Sequence, residues 1–454
     1  MNMIITQDQT IKNSMDLFCK EHQIGQIMKM ANIKKNNGIA PLFLFKYIFQ
    51  LAFMGKNLYR LLQGKDLLGE GTEKDTVYRF LNSPSYNWRK FLLHLSSAIL
   101  DSVELLTSRD KVLIFDDSLY SRNRSKKVEL LARVYDHVER RFCKGFRMLT
   151  LGWSDGATFL PVSFSLLSSE EEKNRICGVN AGIDKRTNGY KRRSEGIRKA
   201  TDVLFELLQQ AKSYGISARY VLFDSWFSFP VVIQRVLQSG FNVICMLKKM
   251  PHVRYLYEGR HLNLEELYKA ARKKCGRAKI LASAFVSFGE SQQIKGRIFF
   301  VRDRNSRNWL AIFSSDVTIN GEEVVRIYGK RWDIEVFFKM CKSHLQLAKE
   351  FQGRSYDAMV AHTTIVFCRY IMLAMEERNN EDDRTFGNLF YLYCDEIRDI
   401  QFSTAIQLLL KMLVEHLRKN QISTDDAIHT LLSNFISALP PYYKGKLAIS
   451  ICES

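Results

Sequence analysis

Between Tyr328 and Lys342 the chain reads YGKRWDIEVFFKMCK, and four of these side chains could act on a phosphodiester. Tyr328, Arg331, Glu335 and Lys342 stand at offsets of 0, 3, 7 and 14 from the tyrosine. At about 100° per residue the offsets fall at roughly 0°, 300°, 340° and 320°, so a helix carries all four on one narrow stripe. Asp333 falls at roughly 140°, on another face. A carboxylate flanked by two cations and a phenol suits a metal ion beside a phosphate. The glutamate can bind the ion, and the arginine and lysine can hold phosphate oxygens. A plain Arg–Glu pair on a solvated helix has the same spacing. Here, however, Ile334, Val336, Phe337 and Phe338 surround Glu335, and a carboxylate in so apolar a stretch needs a partner or a metal.

The pattern Tyr-x2-Arg-x3-Glu-x6-Lys resembles the signature of the insertion-sequence-four family of bacterial transposases. These are enzymes of the DDE class with a ribonuclease-H-like core. The resemblance implies two aspartates upstream, each at the end of a buried strand. It implies that Glu335 is the third acid and that Tyr328, Arg331 and Lys342 hold DNA backbone beside the cut. It also implies that Trp309, in NWLAIFSS, is the tryptophan of an inserted β region that stacks on a base flipped out of the duplex, a contact indole makes well.

Two segments fit the expected aspartates. Lys111 to Ser118 reads KVLIFDDS, four apolar residues followed by Asp116 and Asp117. Tyr220 to Phe223 is again four apolar residues, followed by Asp224. Both read as buried strands ending at a polar rim. In a parallel layer the acids would emerge at the carboxyl ends of the strands, where sites in α/β sheets gather. Alternation puts Asp116 and Asp117 on opposite faces and leaves open which one faces the site. The family's first aspartate is followed directly by Ser or Thr, and Asp117 precedes Ser118, so the resemblance selects Asp117. Asp224 is followed by Ser225-Trp226-Phe227, where some members surround this acid with Arg-Glu-Ala-Asp. Asp117, Asp224 and Glu335 could together hold two Mg²⁺ ions, about 3.5–4 Å apart, with Mn²⁺ able to substitute. One ion would activate a water or a 3′-hydroxyl and the other would stabilise the leaving oxygen.

The elements around these residues are set by composition. The 454 residues are 46% hydrophobic and carry a net charge of +19, with 67 basic against 48 acidic side chains. That excludes disorder over most of the length and suits a polyanion partner. Nine cysteines without a Cys-x2-Cys pair give neither a zinc site nor a disulfide framework, which points to reduced thiols in a cytosol. The most apolar run, Ile39 to Met54, is interrupted by Lys46 and Gln50 and is short of a membrane span.

Helical spacing runs over Met15 to Lys29 and over Pro41 to Gln63, with Gly64 placed to end the second helix. Strand–helix–strand alternation from Tyr220 to Leu247 predicts parallel pairing. Asp155, in Ser154-Asp155-Gly156, reads as a hairpin turn. Arg122 to Arg147 carries nine basic and three acidic residues, and Lys173 to Lys199 nine basic and two acidic. The second run, rich in glycine, reads as a mobile loop, and the two together as a phosphate track.

The expected architecture is α/β: a ribonuclease-H-like mixed sheet core flanked by helices, with a β-rich insertion and helical terminal regions. Residues 1–108 would form a helical domain binding DNA ends, 109–249 the first part of the core, 250–318 the insertion, 319–378 the second part of the core with Glu335, and 379–454 a helical C-terminal region. The expected function is a transposase that binds the inverted repeats of its element, cleaves the ends with Mg²⁺ and joins the 3′ ends to target DNA. Its partners would be double-stranded DNA, as element ends and as target, and a second copy in a homodimer on DNA. It would work in a bacterial cytoplasm, at the nucleoid, with no membrane role. Two other readings fit the same acids: a ribonuclease-H-like nuclease that cuts without joining, and a transposase-derived DNA-binding protein that has lost its chemistry.

Overall fold

The apolar run before Asp116 becomes the first half of β1 (Val112–Ser121), whose residues 112–115 are fully buried. The run before Asp224 becomes β5 (Tyr220–Phe223), buried throughout. Both are uninterrupted apolar runs because helices and neighbouring chain cover both faces of the sheet. The two strands are parallel, with Val112 beside Tyr220, Leu113 beside Val221 and Ile114 beside Leu222. The helix α8 (Pro230–Gln238) crosses from β5 to β6 (Asn242–Met246), which adds a third parallel strand. This protein's structure is a computed structural model, and it describes residues 14–59, 74–136, 139–180, 182–273, 278–303, 308–350, 353–379, 385–420, 424–440 and 443.

On the other side of β1 lies β3 (Arg141–Ser154), antiparallel, which also pairs with β2 (Ala132–Asp136) and β4 (Phe159–Leu167). Beyond β6 the sheet continues through β11 (Trp309–Ser314), β10 (Ile294–Arg302), β9 (Ile280–Phe288), β7 (Tyr255–Tyr257) and β8 (Arg260–Leu262), with α9 (Leu264–Ala270) packed on β7 and β8. The β-rich segment is thus hydrogen-bonded to the core: β11 pairs antiparallel with β6 and makes one mixed sheet, of 11 strands among the described residues.

Helices cover this sheet. Trp88–Glu104 (α5) and Ala200–Ser213 (α7) pack on β4, and α7 also on β3. The acid-bearing segment forms α10 (Gly321–Gly329) and α11 (Trp332–Ser343), and α11 lies across β1. Tyr356–Asn379 (α12) is long and apolar enough to cross a membrane, yet its most apolar stretch is wholly enclosed by protein, as a core helix would be. It packs against α3 (Pro41–Gln50), α4 (Lys74–Leu81) and α5, tying the N-terminal helices to the sheet. The chain closes with the long α13 (Phe386–Lys419) and α14 (Asp425–Ala438).

Four sequence expectations change. The helix expected over Met15–Lys29 is two, α1 (Ser14–Glu21) and α2 (Ile24–Met30), because Gln23 adopts a left-handed φ of 49° between them. The helix expected to run to Gln63 is α3, ending at Gln50, and Gly64 lies outside the described residues. The charged run 173–199 is not all loop, since it contains α6 (Asn188–Gly196), capped by the Thr187 hydroxyl. Within it Arg193 is buried against Glu129 at 2.6 Å and Asp357 at 2.9 Å, and Glu195 against Arg89 at 2.5 Å. Arg193 and Glu195 are thus spent on internal pairs, while Lys173, Lys185, Arg186, Lys191, Arg198 and Lys199 of the same run stay exposed. The stripe around Glu335 is interrupted at Lys330 and Arg331, where the buried Lys330 ammonium reaches back to the carbonyl oxygens of Asp110 and Asp155.

The β1–β3 pairing depends on a close approach at Gly145. A Cβ there would lie 2.3 Å from the Tyr120 carbonyl oxygen, which cannot move without breaking the ladder. Gly145→Ala is expected to destabilise the fold by about 1–3 kcal/mol, read as a lower denaturation midpoint at unchanged slope.

Candidate active site

Carrying the β1–β5 register two residues further sets Asp116 beside Asp224, on the same face of the sheet. Helix α11 lies over that face. Its first residues bring Arg331, whose Nη1 donates to Asp116 Oδ2 at 3.3 Å and whose Nη2 donates to Glu335 Oε1 at 2.5 Å. Near the other end of α11, Lys342 Nζ donates to the Ser118 hydroxyl at 2.7 Å. Asp116 and Ser118, two apart on one strand face, therefore meet the arginine and the lysine of the stripe. The Tyr328 phenol is buried next to Arg331, and that burial raises its pKa. Asp333 looks the other way, as the helical arithmetic requires, and accepts the Ser154 hydroxyl at 2.6 Å.

Asp117 points to the opposite face. Both its oxygens are taken by Arg147 of β3, at 2.8 Å from Nε and 2.7 Å from Nη2. The geometry thus brings Asp224, Arg331, Glu335 and Lys342 together with Asp116, while Asp117 is bound in a bidentate pair behind them.

The electrostatics tie all three aspartates together, since beyond the effect of burial the charge of Asp117 also raises both Asp116 and Asp224. The Asp116 carboxyl is pushed up to about 7, by burial first and by the neighbouring Asp224 charge second, against the pull of Arg331. Asp224 is raised too, again mainly by burial. The Trp226 backbone N–H, 2.8 Å from Asp224 Oδ1, and Arg331 partly offset this. Two half-desolvated carboxylates facing one another call for positive charge. Arg331 supplies some, and burial costs it less because Glu335 and Asp116 both hold it.

Among the described residues no three Asp, Glu, His or Cys side chains already stand as a metal cage. The donors nonetheless suit one. Asp116 and Asp224 offer adjacent hard oxygens of the kind Mg²⁺ and Mn²⁺ take. Glu335 is one side chain away, its carboxylate held by the guanidinium that also touches Asp116.

Trp309 lies partly buried in an aromatic cluster, its ring 4.9 Å from Phe300 and 5.0 Å from Tyr268, with Lys249 Nζ 4.5 Å from its centroid. A second indole stands nearer the acids. Trp226, two residues beyond Asp224, is 41% exposed and carries two cations over its ring. Neither Trp226 nor Arg147 is singled out by sequence pattern. A tryptophan two residues after a strand-end aspartate is the one signal that could have drawn attention.

Carboxylates delivered by adjacent parallel strands of a mixed sheet, with an acid-bearing helix across them, define a ribonuclease-H-like enzyme core. The chain belongs to the DDE superfamily endonucleases, whose family model matches residues 51–285. The match includes the strands that carry Asp116, Asp117 and Asp224, and ends before Trp309 and the α10–α11 stripe. Enzymes of this superfamily cut DNA with divalent metal ions. Comparison with curated proteins gives no match.

Proposed function

We propose that this chain is a DNA transposase that cuts the ends of its own element and joins the 3′ ends to target DNA, with Asp116, Asp224 and Glu335 as its three acids. The observation that carries this reading is the parallel β1–β5 register, which sets Asp116 beside Asp224 on the face crossed by Arg331 and Glu335. Asp117, selected by its following serine, is replaced as first acid because both its oxygens are engaged by Arg147 on the far face. Within the superfamily, the Tyr328, Arg331, Glu335, Lys342 spacing supports the insertion-sequence-four type.

Asp116, Asp224 and Glu335 would hold the divalent ions, Mg²⁺ by preference, which supply Lewis acidity to the scissile phosphate and lower the pKa of a water or 3′-hydroxyl. The protein's own part is positioning. Arg331, once released from Glu335, can turn its fork to a phosphate oxygen, and Lys342 can give its charge to the next phosphate. Tyr328 walls the site and backs the Arg331 guanidinium. Trp309, whose Lys249 side carries a cation, would stack an extruded base. Element ends must be held in pairs to be joined, so the working form would be a homodimer on DNA.

The test incubates the full chain with Mg²⁺, a labelled duplex carrying the DNA that flanks its gene, and a target plasmid. Nicked ends and end-to-plasmid joints are expected. Asp224→Ala should abolish both while leaving DNA binding in EDTA unchanged. Nicks without joints would return the nuclease reading, and neither product at any metal concentration would leave a DNA-binding protein only.

A further inference from the structure

Behind the acids stands a second group of side chains that cutting does not use. Arg147, the last residue of the Arg122–Arg147 basic run, is fixed by its two hydrogen bonds to Asp117. Its guanidinium carbon lies 5.1 Å from the centroid of Trp226, and Lys248 Nζ lies 5.5 Å from the same ring. Trp226 is joined to the candidate site by its own backbone, through the N–H it gives to Asp224. Lys248 is exposed, and its neighbour Lys249 covers the other indole, Trp309.

We propose that Arg147, Trp226 and Lys248 form a binding site for a backbone phosphate of the DNA strand beside the cut, and that Asp117 is the positioning residue that aims the Arg147 fork. An arginine bound through Nε and Nη2 keeps its remaining N–H groups for a second acceptor. A bidentate carboxylate holds the guanidinium in one plane, which lowers the entropy lost when a phosphate docks. Two cations drawn to one indole repel each other, and an anion between them offsets that repulsion. The indole is a flat apolar floor on which the sugar next to such a phosphate can rest. A role for Asp117 as a metal ligand would require it to give up both bonds to Arg147.

This inference rests on the assignment of Asp116, Asp224 and Glu335 as the cutting site, and binding measured in EDTA separates the two. The affinity of the full chain for a random-sequence duplex is followed by fluorescence anisotropy against salt concentration. Arg147→Gln and Lys248→Gln should each lower the log–log salt slope by about 0.9 and weaken binding by roughly tenfold near 0.1 M salt. Arg147→Lys should restore the slope, which separates a lost phosphate contact from a misfolded variant. Asp117→Asn should leave Mn²⁺ affinity by calorimetry within about twofold of the parent and shrink the effect of a further Arg147→Gln change. Unchanged salt slopes in both glutamine variants would overturn the phosphate site. A loss of Mn²⁺ affinity of about tenfold or more in Asp117→Asn would make Asp117 a metal ligand instead. If the parent chain fails to nick DNA while the slopes fall as expected, the cutting assignment fails and the phosphate site stands.

Discussion

Asp116→Asn should abolish metal-dependent DNA cleavage, by about 10³-fold or more, and at the same time raise the melting temperature of the metal-free protein. The two effects share one cause. Asp116 is buried beside Asp224, and its carboxyl is pushed up to about 7. A carboxyl whose folded pKa exceeds its unfolded value of about 4 is bound more tightly to its proton in the native state. Its ionisation therefore works against folding, with nothing lost below pH 4 and the full penalty present above pH 7. A rise from 3.8 to about 7 corresponds to an upper limit on the order of 4 kcal/mol at high pH, of which about 1–3 kcal/mol is expected after relaxation. Asparagine removes the charge while its side-chain oxygen can still accept the Asp117 N–H that Asp116 Oδ1 now holds at 2.8 Å. Differential scanning calorimetry at pH 8 and pH 5 checks this. The variant should melt above the parent at pH 8, and its advantage should shrink to roughly a third at pH 5. Asp117→Asn should show no such gain, because its charge is already matched by Arg147. A cutting-competent Asp116→Asn protein would remove Asp116 from the site. An inactive one that melts below the parent at pH 8 would mean that the two carboxylates are not in conflict.

Part of the candidate site is legible in sequence because charge stands where apolar residues would otherwise be expected. Asp224 stands out because a fully buried strand ends on it, and Glu335 because phenylalanine and isoleucine crowd a charge. The side on which the first acid lies is a different kind of information. Asp116 and Asp117 are adjacent and chemically identical, and only the offset between β1 and β5 distinguishes them. That offset is set by the packing of strands more than a hundred residues apart. The same limit hides Arg331's double engagement, because its two acidic partners are four residues away and 215 residues away. It also hides the break before α11, which Lys330 stabilises by reaching carbonyls 175 and 220 residues distant.

Charge runs mislead for a related reason. Read along the chain, the segment 173–199 is a cationic loop. In the fold, Arg193 is matched by Glu129 and Asp357, and Glu195 by Arg89 with the Ser165 hydroxyl at 2.5 Å. Each partner comes from a different element, so a local count of charge does not separate the buried Arg193 from the six basic residues of the run that stay exposed. The mixed α/β sheet itself is legible, because apolar runs of four or five residues between amphipathic helices have few other ways to bury both faces. That the β-rich segment would join the same sheet rather than stand apart is not, since only the β11–β6 pairing decides it.

Arg369→Met should be the most damaging single change to the fold, costing about 3–5 kcal/mol although it lies outside the candidate site. Arg369 is fully buried in the middle of α12. Its Nε and Nη2 donate to the carbonyls of Phe49 and Ile48 at 2.9 and 2.5 Å, at the C-terminal end of α3, where the dipole is negative and the Ile48 carbonyl also accepts the Leu51 N–H. Its Nη1 donates to the Leu345 carbonyl, just past α11, and pairs with the buried Glu350 at 2.9 Å. One side chain thus joins the N-terminal helices, the core helix and the end of the segment that carries Glu335 and Lys342. Methionine fills most of the volume but takes a donor from three carbonyls and a carboxylate, of which Ile48 keeps the Leu51 N–H and Glu350 keeps His362. His362, 2.6 Å from Glu350, cannot take over easily, because burial lowers its pKa and keeps the ring neutral. Chemical denaturation of Arg369→Met, Glu350→Gln and the double variant separates the contributions. If the stranded Glu350 charge dominates, the double variant recovers about half of the loss. If it recovers none, the carbonyl caps carry the cost, and the α3 end should then show the earliest hydrogen exchange in the single variant.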